Sequence, residues 1–456
     1  MRYAFLVVFF ILFFDKFHVG KETVMREKLR YTVREEFFGA LVYDRMEDSY
    51  LAFDEDLLIA MKEDVQNIQK DPDLYEMLES EGFIQNGQKN YVIYTNSHEG
   101  ENLSSPARIH FYYTGKCNLN CIHCFTKKDN IGTEMSLEQK KNMVCQMQAL
   151  GINEILIGGG EPFAKKDFVE FAEYCLEKDI STKIFTNGLL LDEEMCKRMG
   201  NWNLTYLSIS VDGTTDDEYE KIRGVRGITT LKRNIAYLKK YSSFPVAISV
   251  TVGVDNYNNA SKYLKFAEEC HVDRIKIRPT KPAGNVLDNP EIYLSPDKYL
   301  KFIVSMQKEW NKSYCGKFRI DFSWGDSRLY YDAEDNCMKV ADIIFPYEGY
   351  GCFAGKASMV INAAGAVSPC GFLPSKMQYT IEDNITSKSI KEIWDTGKKF
   401  HGLRHQKGNE KCENCMYFGT CRGGCIARIL YSGKSMNAVD PWCLAEFFPA
   451  KLEEKK

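Results

Sequence analysis

The alternation of apolar and polar residues changes character three times along the chain. Residues 3–14 form an unbroken apolar run that ends at Asp15 and Lys16. Its twelve residues fall short of the ~20 that a membrane-spanning helix requires. The run resembles the apolar core of a signal peptide, yet Asp15, Lys16, Phe17 and His18 offer no small-residue cleavage site. Two expectations remain for residues 1–28: an upstream start with Met25 as the true one, or a loose membrane-surface segment, membrane contact being doubtful.

From residue 29 to residue 95 the pattern is that of a small separate unit. Residues 31–43 read as extended, residues 44–49 as a polar turn and residues 50–53 as the returning strand. Asp54 opens a helix with Leu57, Leu58 and Met61 on one face, and Asp71 opens a second with Leu74, Met77 and Leu78 before Gly82. Asn86-Gly87 marks a tight turn into residues 91–94. Residues 96–107 are polar, contain Ser104-Ser105-Pro106 and read as a linker.

Strands and helices then alternate. Strand-like runs fall at residues 108–113, 154–157, 182–185, 204–211, 246–252 and 274–277, and Ser136 with Gln139 gives a capping box for one intervening helix. Six β/α repeats predict a parallel α/β sheet curled into a partial barrel over residues 108–311. Ligands of such sheets bind at the carboxyl ends of the strands.

A length of 456 residues points to two or three domains, and a net charge of -4 gives no electrostatic reason to expect nucleic acid. Sixteen cysteines change the picture more. Two groups of them have metal-ligand spacings in a large chain, which does not fit the disulfide framework of a small secreted domain; a cytoplasmic, reducing location fits better. Cys145, Cys175, Cys196, Cys270 and Cys315 lie outside those spacings and read as structural.

Cys117, Cys121 and Cys124 occupy one short loop directly after the first barrel strand, in a C-x3-C-x2-C spacing. Closely spaced thiols also serve zinc. Three thiolates on one loop can alternatively hold three irons of a four-iron cluster, leaving the fourth iron without a protein ligand. The spacing resembles the signature of the radical SAM superfamily, in which the open iron binds S-adenosylmethionine and one electron from the cluster cleaves it to methionine and a 5'-deoxyadenosyl radical. Gly158-Gly159-Gly160-Glu161-Pro162 follows the second strand and resembles the family's Gly-Gly-Glu-Pro motif for the methionine amino group. The resemblance implies cofactor contacts at Gly159, Gly160, Glu161, Asn187, Ser210 and Arg223, with Ser210 and Arg223 on the carboxylate or ribose side; for Arg223 a surface ion pair is equally open.

The second group reads Cys352, twelve residues, Gly365, four residues, Cys370, then Cys412-x2-Cys415-x5-Cys421-x3-Cys425, with Cys443 after seventeen intervening residues. It resembles the SPASM extension of peptide- and protein-modifying radical SAM enzymes, which carries two auxiliary iron-sulfur clusters. That resemblance implies Cys352, Cys370 and Cys425 for auxiliary cluster I and Cys412, Cys415, Cys421 and Cys443 for auxiliary cluster II, within residues 312–456. Cys337 is the nearest spare thiol for a fourth ligand of cluster I, and an open iron is the alternative. Residues 29–95, with Val33-Arg-Glu-x-x-Phe-Gly-x-Leu-Val-Tyr-Asp44, resemble the winged-helix-like RiPP recognition element that captures the leader of a ribosomally made precursor peptide.

The expected function is therefore a radical SAM oxidoreductase that modifies a precursor peptide, forming a thioether or carbon-carbon crosslink, with three iron-sulfur clusters, S-adenosylmethionine and a low-potential flavodoxin- or ferredoxin-type donor. The leader is expected to add at the sheet edge near residues 31–43, and removal of residues 1–95 to leave cofactor cleavage largely intact. An anaerobic sulfatase maturase is a rival, but Gly371 stands where that family has an Asp base after the second SPASM cysteine. A non-catalytic peptide-binding or electron-transfer scaffold is the rival from another class.

Overall fold

The computed structural model describes residues 29–98, 100–126, 132–324, 327–332, 337–340, 352–379, 382–404 and 409–448. The apolar run at residues 3–14, with the rest of residues 1–28, lies outside the described residues. Among the described residues no helix is long and apolar enough to cross a membrane.

Strands β1 (Tyr31–Glu36), β2 (Gly39–Asp44), β3 (Ser49–Phe53) and, after a short β4 (Ile84–Gln85) and β5 (Gln88–Lys89) pair, β6 (Tyr91–Tyr94) build a four-stranded sheet in the order β3-β2-β1-β6. The stretch expected to be one extended strand is a hairpin. Gly39 breaks it: its φ of +122° is open to glycine, and a Cβ there would collide with the Phe53 and Asp54 backbone. Helices α1 (Glu55–Lys62), α2 (Val65–Ile68) and α3 (Pro72–Ser80) cover one face, α1 and α3 being capped by Asp54 and Asp71 as expected. Val33, Val42, Met61 and Leu78, none of them exposed, form a core separate from that of the rest of the chain. Among the described residues β1 and β2 are both interior, so residues 31–43 do not offer the expected docking edge; the edge strands there are β3 and β6.

The second sheet has eleven strands. Parallel neighbours β7 (Arg108–Thr114), β8 (Glu154–Gly159), β9 (Ser181–Thr186), β10 (Tyr206–Ser210), β11 (Val246–Val252) and β12 (Arg274–Pro279) are the six expected barrel strands. The parallel set does not stop there. β13 (Arg319–Trp324) continues it beyond β12, antiparallel β14 (Ser327–Asp332) and β15 (Cys337–Val340) follow, and β16 (Ser358–Ile361) with β17 (Val367–Ser368) extends the sheet beyond β7. The region after residue 311 thus closes both sides of the partial barrel. Ile155, Ile157, Ile184, Leu207, Ile209, Ile248, Val250, Ile275 and Ile277 point to the helices, so alternate residues of each strand face the lumen.

The small unit covers the amino ends of these strands. Lys183 bridges Asp48 and Glu154 at 2.5 Å each, Tyr50 donates to Glu154 and to the Ala107 carbonyl, and Tyr43 bonds Ser181 at 2.7 Å. Residues 96–107 are not a loose tether. Leu103, Ser104 and Ser105 are fully buried, and Arg34, itself paired with Glu36 at 2.6 Å, donates to Ser105 and to the Pro106 carbonyl. Deleting the unit would take Leu41 out of the larger core and remove Asp48 and Tyr50 from the buried Lys183–Glu154 pair, which argues against the expectation that residues 1–95 can be removed harmlessly.

Candidate active site

The loop of Cys117, Cys121 and Cys124 leaves the carboxyl end of β7 and is held by segments from four other strand ends. Gly160 and Glu161, after β8, donate their amides to the carbonyls of Thr114 and Lys116 at 2.7 and 2.8 Å. A Cβ on Gly159 or Gly160 would meet those same carbonyls, so the two glycines are required by the close approach of two backbones. Asn187, after β9, donates to the Asn118 side chain at 2.7 Å. Following β10, Arg223 reaches to 3.5 Å from the Cys121 sulfur, and the Ile222 carbonyl accepts from the Ile122 amide at 3.0 Å. After β12, Asn285 donates its side-chain amide to the Cys121 carbonyl at 2.9 Å and its backbone amide to that of Cys124 at 2.8 Å.

Glu161 is fully buried and accepts from the Asn187 amide, the Thr186 hydroxyl and the Phe163 amide. A carboxylate without water needs such donors. Burial still pushes its pKa up, the three hydrogen bonds opposing. Its work is to lock the ends of β8 and β9 together beneath the loop.

Arg223 is no surface ion pair. Its guanidinium binds the buried Asp212 carboxylate at 2.5 Å, and the same Asp212 oxygen lies 3.1 Å from His123 Nε2 inside the cysteine loop. Burial alone would raise the Asp212 pKa; Arg223 first and His123 second outweigh it and hold the group well below the usual carboxylate range. Ser210 ends β10 half-buried on the lumen side, with its backbone in register with Ser249. His123, Asn118, Asn285 and the turn at Gly284 were not singled out from sequence. Gly284, at φ +58° and pressed against the Cys124 carbonyl, is the one visible mark of that last contact.

In the second group, Cys352 and Cys370 pack on one small core with Ile426, next in sequence to Cys425. Asp440 accepts from the Cys425 amide at 2.6 Å and pairs with buried Arg428. Cys412, Cys415, Cys421 and Cys443 lie near enough to influence one another: burial, Asp440, Cys443 and Cys412 push the Cys421 thiol up to about 12, and burial, then Glu446 and Cys415, raise that of Cys443. The backbone of Cys337 opens β15 opposite Asp332, but its side chain lies outside the described residues. Phe372, two residues after Cys370, packs tilted against Phe125 of the first loop with ring centres 4.6 Å apart, so the two cysteine groups share a wall. Gly371 faces the Tyr112 hydroxyl so closely that any side chain there would overlap it, which removes the position of the sulfatase-maturase base. Of the five cysteines read as structural, Cys175, Cys196 and Cys270 are buried, whereas Cys145 and Cys315 are exposed; Cys145 sits on the helix face opposite buried Val144 and Met147.

Among the described residues no three His, Cys, Asp or Glu side chains converge as one metal ion would need. A cluster does not impose that demand, since each thiolate takes its own iron, so the donor set fits an iron-sulfur group better than zinc. The Radical SAM superfamily profile matches residues 111–267, and the SPASM profile, an iron-sulfur cluster-binding domain, matches residues 352–416. The chain is 27% identical over 357 residues to the AdoMet-dependent heme synthase of Methanosarcina barkeri, covering 75% of this chain and 97% of that protein. It is 23% identical to the mycofactocin maturase MftC of Mycolicibacterium smegmatis, over 78% of this chain and 86% of that one. In fold it is similar to Streptococcus suis SuiB bound to S-adenosylmethionine, with a TM-score of 0.71 and 18% identity over 91% of this chain and 98% of that chain; SuiB is also known bound to its precursor peptide SuiA. The cofactors are S-adenosylmethionine and iron-sulfur clusters, and this enzyme carries a radical SAM domain over residues 111–267 followed by a SPASM iron-sulfur domain over residues 352–416.

Proposed function

We propose that the protein is a peptide maturase: it oxidises a residue of a ribosomally made precursor peptide and closes a thioether or carbon-carbon crosslink. The observation that carries this reading is the separate four-stranded sheet with the free edge β3, set before the barrel. The similarity to SuiB, which is known bound to the precursor peptide SuiA, spans 91% of the chain, whereas the heme synthase match leaves a quarter of it uncovered. A leader added to β3 as a further strand would gain backbone hydrogen bonds for affinity and side-chain contacts for specificity. A second reading, a heme-related substrate, is favoured only by the heme synthase match at 27% identity.

In this proposal Cys117, Cys121 and Cys124 hold the catalytic cluster; Gly159 and Gly160 let backbone approach S-adenosylmethionine, with Asn187, Ser210 and Arg223 beside it. When bound, the cofactor pair supplies the radical that removes a hydrogen atom from the substrate. The chain's own residues fix the loop, exclude water with Phe125 and Phe372, and hold the substrate at the strand ends. Cys352, Cys370 and Cys425, with Cys337 as fourth ligand, hold auxiliary cluster I, and Cys412, Cys415, Cys421 and Cys443 hold auxiliary cluster II, to take the second electron. A flavodoxin- or ferredoxin-type donor in a reducing cytoplasm supplies the first.

The test is anaerobic co-expression with each short open reading frame beside the gene, followed by mass spectrometry. Loss of one hydrogen pair from a peptide, abolished by Cys412→Ala while 5'-deoxyadenosine still forms, is the expected result. Formation of 5'-deoxyadenosine with no modified peptide, together with conversion of a porphyrin substrate, would replace this reading by the second.

A further inference from the structure

Strand β12 carries a row of cations on the lumen face. Arg274, Lys276 and Arg278 alternate with Ile275 and Ile277, and the isoleucines enter the core under the helices, so the cations face inward. Two of the three are compensated. Arg274 and Lys276 lie 3.5 and 3.8 Å from the Asp321 carboxylate, and Lys276 also donates to the Tyr206 hydroxyl at 3.2 Å. Arg278 has no such partner: among the described residues its guanidinium meets no carboxylate and contacts only the face of Phe185, 5.6 Å from the ring centre. It is exposed, whereas Arg223 and Arg428 are each paired with a buried aspartate.

The position of Arg278 matters as much as its charge. It is the cross-strand partner of Thr251, whose amide donates to Asp212 at 2.7 Å, and Asp212 carries Arg223 beneath Cys121. The loop that follows Arg278 brings Asn285 onto the carbonyls of Cys121 and Cys124. Arg278 therefore stands in the mouth into which the cysteine loop opens, on the wall that also presents Ser249 and Thr251.

We infer that Arg278 binds an acidic side chain of the substrate peptide, lying beside the bond that is broken. A planar guanidinium with five donors and no internal acceptor gives a carboxylate a bidentate, charge-assisted pair, and the Phe185 face keeps its plane from folding back. The inference rests on the peptide reading above for the class of substrate. The cofactor's own carboxylate is the other source of the same chemistry.

Phenylglyoxal modification of arginines, mapped by mass spectrometry on anaerobically reconstituted full-length protein, separates these sources. The probes are S-adenosylmethionine alone, and S-adenosylmethionine with an N-acetylated, C-amidated Ala-Glu-Ala peptide or its Gln counterpart. Arg278 should react faster than Arg223, and the Glu peptide should slow it by about threefold or more without affecting surface Arg226, while the Gln peptide does not. Equal effects of the two peptides, no effect of either, or full protection by S-adenosylmethionine alone would overturn the assignment. Release of 5'-deoxyadenosine on adding dithionite to unmodified parallel samples keeps the two readings apart: its absence refutes the radical SAM chemistry, and its presence without carboxylate protection refutes only Arg278.

Discussion

Asn285 donates its side-chain amide to the Cys121 carbonyl across 2.9 Å, joining segments 164 residues apart in the chain. With the Asn285 backbone amide on the Cys124 carbonyl and the Asn289 side chain on the Ile122 carbonyl at 3.5 Å, the turn after β12 holds three carbonyls of the cysteine loop. Replacing Asn285 by Ala removes one buried donor and leaves the Cys121 carbonyl unsatisfied, at a cost of about 1–3 kcal/mol. Asp has the same shape but sets a carboxylate against that carbonyl, and should be at least as damaging. Iron retained per protein after reconstitution and desalting should fall in both variants, and the electron paramagnetic resonance signal of the reduced protein should broaden. Unchanged iron and signal in folded Asn285→Asp would show that the loop keeps its shape without this contact.

A second expectation concerns iron itself. Three four-iron clusters give on the order of twelve irons per chain, and joint replacement of Cys117, Cys121 and Cys124 by Ala should remove about a third of them and all 5'-deoxyadenosine. Stoichiometric zinc with negligible iron after reconstitution would contradict it.

The buried charges between the small unit and the barrel should respond to pH in a definite direction. Burial would raise the Glu154 pKa, but Lys183 and then Arg108 pull it down to about 2; burial would lower that of Lys183, but Asp48 and then Glu154 raise it. The stabilisation from Glu154 is present above the ordinary carboxylate range and is lost as pH falls through about 2; that from Lys183 is lost only as pH rises past the ordinary lysine range. Denaturation midpoints should therefore be flat between about pH 5 and 8. Lys183→Met leaves Asp48 and Glu154 facing each other and should cost about 3–5 kcal/mol. Part of that loss should return as pH falls toward 5, because protonation then relieves the repulsion. A variant as stable as the parent at pH 8 would show that water reaches these groups.

The free edge of β3 can be tested with consecutive prolines. In an edge strand, successive amides point alternately to the neighbour and outward, so of Leu51→Pro and Ala52→Pro one breaks the pairing with β2 and the other blocks only an added strand. One variant should melt like the parent yet bind a synthetic leader of the cognate precursor at least about tenfold more weakly. If the well-folded variant binds as tightly as the parent, the leader docks elsewhere.

Much of this architecture was legible in the sequence. Period-two patterns located all six barrel strands, Asp54 and Asp71 marked two helix starts, and cysteine spacing marked both thiol groups, because each is a local pattern. What escaped was non-local. β13 and β16 look like ordinary short strands until their partners are known, and Asn285 is an unremarkable loop residue until it meets Cys121. Glu161 was identified as important, but whether its carboxylate faces a ligand or the protein depends on Thr186 and Asn187, which arrive from another strand.

The turn between β2 and β3, with the start of β3, sits on the amino ends of the barrel strands through Asp48 and Tyr50, so among the described residues the lumen is covered on that side. A substrate approaching the thiols from the opposite, carboxyl ends of the strands uses the door on that side. A peptide gripped at β3 must also reach that door around the outside of the sheet. Crossing one strand length of about 20 Å takes at least six extended residues, so a modifiable residue closer than that to the gripped segment should be out of reach.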